Sequence, residues 1–153
     1  MALFPRDPAS GSEDVVTLLL VSASEGDHAS LRHILTRSNW QLYHARSCRE
    51  GLALFRQRGV PVVVCSDEFP EGGWKDLWAE LQQDANPPNL VVCSRLADDH
   101  LWAEALNLGA YDVLNTPFDA GEVFQVGHLA WHAAREAWRR APALPRVLAA
   151  SHG

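Results

Sequence analysis

The stretch VVVCSDEFPEGG, Val62 to Gly73, runs from an apolar segment into an acidic turn rich in Pro and Gly. Two of its side chains could do chemistry. Ser66 offers a hydroxyl, a weak nucleophile unless a base stands beside it, and the sequence suggests no such base. Asp67 offers a carboxylate, which can act as a nucleophile or hold a hard cation. Cys48, Cys65 and Cys93 are odd in number and show no CxxC spacing, so they read as reduced thiols. Cys65 and Cys93 precede the last residues of two apolar runs, and a redox pair would require their Cα atoms within disulfide reach. Two small buried side chains are the plainer reading. His128 and His132 stand four apart on a helical pattern, but no third ligand accompanies them and no metal site is assigned.

These groups must be positioned by the elements around them. Short apolar, β-rich runs span 15–22, 40–45, 61–66, 89–94 and 111–116, and several are nearly continuous, as in strands buried on both faces of a parallel sheet. Helical patterns lie between them at about 27–37, 47–58, 73–83, 97–108 and 119–140. Ser47 and Glu50 have capping-box spacing, and Gly59 and Gly109 sit where helices stop. Alternation of this kind predicts a doubly wound (βα)5 flavodoxin-like α/β domain. Ligands of such sheets bind beyond the carboxyl ends of the strands. The segments 22–27, 66–72, 94–99 and 116–118 should therefore rim one pocket.

The chain has 153 residues and a net charge of −6, which suits one domain and argues against a nucleic-acid partner. Residues 1–14 read as a loose leader, 15–140 as the domain and 141–153 as a tail. With no signal-peptide pattern and no apolar run long enough for a bilayer, the expectation is a cytoplasmic protein with no membrane partner.

The order of segments resembles the response-regulator receiver domain, over about Val15 to Arg140. FP after the third strand, VVCS at the end of the fourth and above all LNLGAYDVLNTPF carry the resemblance. It implies a five-stranded parallel sheet in order 2-1-3-4-5 and a cis bond at Thr116-Pro117. It also implies a phosphoacceptor site of two acids, an aspartate, a hydroxyl and a lysine around Mg2+. Those positions fall on Ser22 and Ala23, on Ser66, on Ser94 and on Thr116; the family's aromatic switch position falls on Val113. Only the hydroxyl is kept. Phosphoryl transfer depends on neutralising charge, and these side chains supply neither the carboxylates for Mg2+ nor the cation for the phosphoryl oxygens. A hydroxyl cluster of Ser66, Ser94 and Thr116 is expected instead.

The expectation is a degenerate receiver, not an enzyme and without cofactor, that binds a protein partner such as a signalling kinase, regulator or output protein. Its interface is sought at Leu101, Trp102, Val113, Phe124, Trp131 and Trp138, with a homodimer through the fourth and fifth helices as one form. Phe124, Trp131 and Trp138 recur at intervals of seven and draw a stripe apart from Val123, Val126, Gly127, Ala130 and Ala134. Trp74 and Trp78 read as packing residues. Two alternatives remain open. One is a phosphoacceptor using Asp67, re-aimed by a bulge, with Glu25 and Asp27 as displaced acids. The other is a flavodoxin-like binder of a small ligand, although no GxGxxG follows the first strand.

Overall fold

A computed structural model of the protein describes residues 15–69 and 73–140. The leader and tail assigned from the sequence lie outside the described residues, as do 70–72. Five strands and five helices alternate: β1 (Thr17–Val21), α1 (Glu25–Leu35), β2 (Gln41–Ala45), α2 (Cys48–Arg58), β3 (Val62–Ser66), α3 (Trp74–Leu81), β4 (Asn89–Ser94), α4 (Asp99–Asn107), β5 (Asp112–Asn115) and α5 (Ala120–Arg140). All pairings are parallel and the strand order is β2-β1-β3-β4-β5, as expected.

The period of two along each strand divides the core into two layers. Leu19, Val21, Val63, Cys65, Leu90, Val92 and Val113 pack with Phe55 of α2, Trp74, Leu77, Trp78 and Leu81 of α3, and Leu101 and Ala105 of α4. Leu18, Leu20, Val62, Val64, Val91, Cys93 and Leu114 pack with Leu31 and Leu35 of α1 and Val123, Ala130 and Trp131 of α5. Cys65 and Cys93 therefore lie on opposite faces of the sheet, which rules out the redox pair. The neighbouring Cys48 thiol, and then burial, push the Cys65 thiol well up, and burial does the same for Cys93.

Local chemistry sets the helix ends. Ser47 caps α2 by accepting from Glu50 N at 3.1 Å, and Glu50 reaches back to Arg46 N at 2.7 Å. Gly59 stops it in the left-handed region at φ 66. Ser24 caps α1 by accepting from Asp27 N, so the helix starts at Glu25, two residues before the sequence pattern suggested. Asp119 caps α5 through Glu122 N. The Thr116-Pro117 bond is cis.

Candidate functional site

Strands β3 and β4 end in a serine and β1 runs straight into one, and all three serines do the same local work. Ser22 Oγ accepts from Ser24 N at 3.0 Å, Ser66 Oγ from Glu68 N at 3.0 Å, and Ser94 Oγ from Leu96 N at 2.9 Å. Each hydroxyl bonds the backbone two residues on and turns the chain out of the sheet. Ser22, Ser66 and Ser94 are all buried, so these bonds also satisfy oxygens largely withdrawn from solvent.

The turns open a cleft of about 250 Å³ lined by Ser24, Asp27, Ser66, Glu68, Ser94, Arg95 and Thr116. This is the rim expected from the open sheet. Of the positions matched to the receiver site, Ser66, Ser94 and Thr116 line it. Ser22 is fully buried beside it, and Ala23 is exposed outside its lining. Ser66 and Ser94 bond to their own turns and not to each other, so two separate turn bonds stand in place of the expected hydroxyl cluster of Ser66, Ser94 and Thr116.

Among the described residues, the charges facing the cleft are Asp27, Glu68 and Arg95. Asp27 Oδ2 accepts from the Ser22 hydroxyl at 2.7 Å. Glu68 and Arg95 form a two-pronged pair across the cleft, Nε to Oε2 and Nη2 to Oε1, each at 3.0 Å. That pair holds Arg95 above its ordinary pKa. Glu25 has turned away to Arg46, at 2.8 and 3.1 Å, and the guanidinium lowers its pKa.

Asp67 is held differently. Its N donates to Cys93 O at 3.0 Å, and it is absent from the cleft lining, which passes from Ser66 to Glu68. Its Oδ1 is buried and meets no hydrogen-bond partner. Burial pushes the carboxyl up, while the Ser94 hydroxyl beside it pulls in the other direction. Alternation of side chains along β3 and into the turn explains the placement: Glu68, two beyond Ser66, shares its side and Asp67 does not. Glu68 and Arg95 were not among the residues singled out in the sequence; the period-two rule applied one step past Ser66 would have found Glu68.

The donor set does not fit the magnesium that a receiver site implies. A hard dication needs converging carboxylate oxygens. Here Glu68 is engaged by Arg95, Asp27 by Ser22, and Asp67 does not line the cleft.

Three of the six expected interface residues are interior, and Phe124 and Trp138 are half-buried. Leu101 is 7% exposed, Val113 4% and Trp131 5%. Phe124 packs edge-on against Trp40 with ring centroids 4.9 Å apart, and Trp138 donates from Nε1 to Pro87 O at 2.7 Å. Trp131, at the middle of the stripe, is thus turned inward, between the small residues Gly127, Ala130 and Ala134 of α5. Of the six, Trp102 alone is classed as exposed. It sits on α4 with Leu106, flanked in sequence by exposed Leu96 and Leu108, none of which the sequence reading had marked. Trp74 and Trp78 are core residues as expected, the second donating to Leu108 O at 2.7 Å.

No protein-family model matches the chain. Its fold is that of solved receiver domains. The signal receiver domain of an HD domain-containing protein from Pseudomonas fluorescens Pf-5 superposes with a TM-score of 0.71 at 24% identity, covering 80% of this chain and 98% of that one. A response regulator receiver domain protein from Clostridium thermocellum gives a TM-score of 0.72 at 17% identity, covering 80% and 99%. Among curated proteins the chain is 26% identical over 127 residues to an uncharacterized transcriptional regulatory protein of Bacillus subtilis (strain 168), YcbL. The match takes in 81% of this chain and 56% of that protein, so the chain spans little more than half the length of this relative. Among the described residues no helix is long and apolar enough to cross a membrane.

Proposed function

We propose that the chain is a receiver-type module of a signalling or regulatory protein, that it takes no phosphoryl group, and that it acts by binding a protein partner. The observation that carries this reading is the placement of Asp67. The lining of the cleft skips it, and one of its oxygens is shut away from solvent. The residue at the end of β3 is Ser66, whose hydroxyl is engaged in its turn and has no base beside it. Thr116 lines the cleft where a lysine would be needed, and the one cation lining the cleft, Arg95, is already paired with Glu68. Electrostatic stabilisation of a transferring phosphoryl group has no free positive charge to use.

A partner surface is favoured on α4. Leu96 is 78% exposed, and Trp102, Leu106 and Leu108 also stand out into solvent. Leu96 follows Arg95 directly, so this apolar patch adjoins the cleft rim. Exposed Trp with aliphatic neighbours is typical of interface centres. A small-ligand reading gains little: the cleft lies below the usual range of about 300–1,000 Å³ and has no aromatic wall among its lining residues.

The test is incubation with a small acyl-phosphate donor and Mg2+, followed by intact mass measurement. No adduct is expected. A stoichiometric phosphate adduct that disappears in Asp67→Asn would establish the phosphoacceptor in its place. In parallel, Trp102→Asp should abolish capture of whatever signalling protein binds the wild type while leaving the melting temperature unchanged; retained capture would remove α4 from the reading.

A further inference from the structure

His28 on α1 is completely buried, yet it is one of a pair. Its Nδ1 lies 2.7 Å from Nδ1 of His44 on β2, and its Nε2 lies 2.9 Å from the carbonyl oxygen of Ser22. The rings tilt at 48° with centroids 4.9 Å apart. These contacts determine the protons. A carbonyl can only accept, so His28 Nε2 carries hydrogen. When both rings are neutral, His28 Nδ1 is then a bare acceptor, and His44 must donate from its own Nδ1. His44 Nε2 is left with a lone pair and has no protein partner among the described residues, on a ring that is part-exposed.

We propose that the His28–His44 pair, which can hold one added proton and not two, is a switch that controls the β1–α1 turn bordering the cleft. One added proton is compatible with the contact, because an imidazolium can still donate to a neutral imidazole. Two are not: both Nδ1 atoms would carry hydrogen and face each other at 2.7 Å. The second proton must therefore part the rings. His28 cannot follow His44 outward, since it is enclosed in the fold, and the strain falls on its other bond, to Ser22.

Ser22 is the residue through which the cleft would feel this. Its carbonyl is held by His28, its hydroxyl donates to Asp27, and its Oγ accepts from Ser24 N. Ser24 and Asp27 form one wall of the cleft. The charged groups facing His44 come from two sides. Arg32 and Glu25 act from α1, and Arg46 from the turn after β2, with Glu25 and Arg46 paired to each other. From β1, the Ser22 carbonyl meets His28.

Burial, and then the neighbouring His28 and the two arginines, lower the His44 pKa from its ordinary 6.5. The sign follows from linkage. A histidine whose pKa is lowered in the closed arrangement takes its proton more readily once released. The closed arrangement is thus favoured above the ordinary value and loses ground as pH falls below it. Each unit by which the two states differ corresponds to about a tenfold change in the opening equilibrium.

The experiment is a pH titration of the 15N-labelled protein from the alkaline side, read by long-range 1H–15N correlations of the imidazoles and by amide hydrogen exchange. At alkaline pH, His44 should appear as the Nδ1–H tautomer and His28 as the Nε2–H tautomer. As the pair takes up its second proton, exchange of the Ser24 and Asp27 amides should quicken, about tenfold per unit of pKa difference between the two states. In His44→Gln, whose amide can still donate to His28, that acceleration should vanish while the fold persists. An Nε2–H tautomer for His44 at alkaline pH overturns the proposal. So does exchange at Ser24 and Asp27 that ignores the pair's second protonation, or that is unchanged in His44→Gln. None of these readouts depends on whether the module binds phosphate or a protein.

Discussion

Helix α2 approaches β1 so closely at Gly51 that the consequence can be worked out in advance. A Cβ built on Gly51 would fall 2.7 Å from Val21 Cγ2 and 3.2 Å from Cγ1. Val21 is completely buried and β-branched, so it has neither room nor a free rotamer to move into. Gly51→Ala therefore forces the helix outward or strains the strand, at a cost of about 1–3 kcal/mol for an overpacked site. Against this stands the helix propensity of alanine over glycine, about 0.8–1.0 kcal/mol in its favour. The net expectation is a loss of about 0–2 kcal/mol where propensity alone would give a gain. Val21→Ala supplies the control. Removing its two methyl carbons costs about 1.6 kcal/mol in transfer energy alone, with a cavity term added. In the double variant the new methyl occupies the vacated space, and the two losses should fall short of their sum by about 1–2 kcal/mol. Urea unfolding followed by tryptophan fluorescence measures all three. A Gly51→Ala protein more stable than the parent by about 1 kcal/mol, or losses additive to within about 0.5 kcal/mol, would refute the close approach.

Two further outcomes follow from the site and from α5. Asp67→Asn should raise stability at neutral pH, because the raised pKa means that ionised Asp67 disfavours the fold; the gain should fade as pH drops toward the ordinary carboxyl value of 3.8, where the unfolded side chain also takes a proton. Denaturation midpoints across that pH span check the sign, and a loss at neutral pH would contradict it. Trp131→Ala should cost about 3–5 kcal/mol, as for a buried aromatic, whereas Trp102→Ala on the surface should stay within about 0.5 kcal/mol. Comparable losses in both would return Trp131 to the surface.

The division between what could be read and what could not is physical. The strands were legible because a sheet covered on both faces demands unbroken apolar runs, and VVVCS and NLVVCS have no other use. The α2 boundaries were legible because Ser47, Glu50 and Gly59 act within a few residues of themselves. Asp67 is absent from the cleft lining, and alternation, which is also local, accounts for its placement. The α5 stripe misled because a repeat of seven marks a face without saying what lies opposite. Small residues at 127, 130 and 134 let that helix settle deep enough to cover Trp131. The histidine pair was invisible for a different reason. His28 and His44 meet only because α1 crosses back over the β1–β2 edge, a juxtaposition set by the sheet and by no sequence spacing. Arg95 likewise has meaning only once β4 stands beside β3, bringing it to Glu68.

Helix α5 is fastened at its middle and near its far end. Asn89 Nδ2 donates to Ala130 O at 2.9 Å, and Trp138 Nε1 reaches Pro87 O just ahead of β4. Both bonds lie at the edge where strands begin, the same edge at which the described chain enters β1. A linker, surface tether or fluorescent fusion joined through Val15 or Arg140 would leave the molecule from its floor. The cleft would then point away from the attachment, with its rim open to whatever approaches in solution.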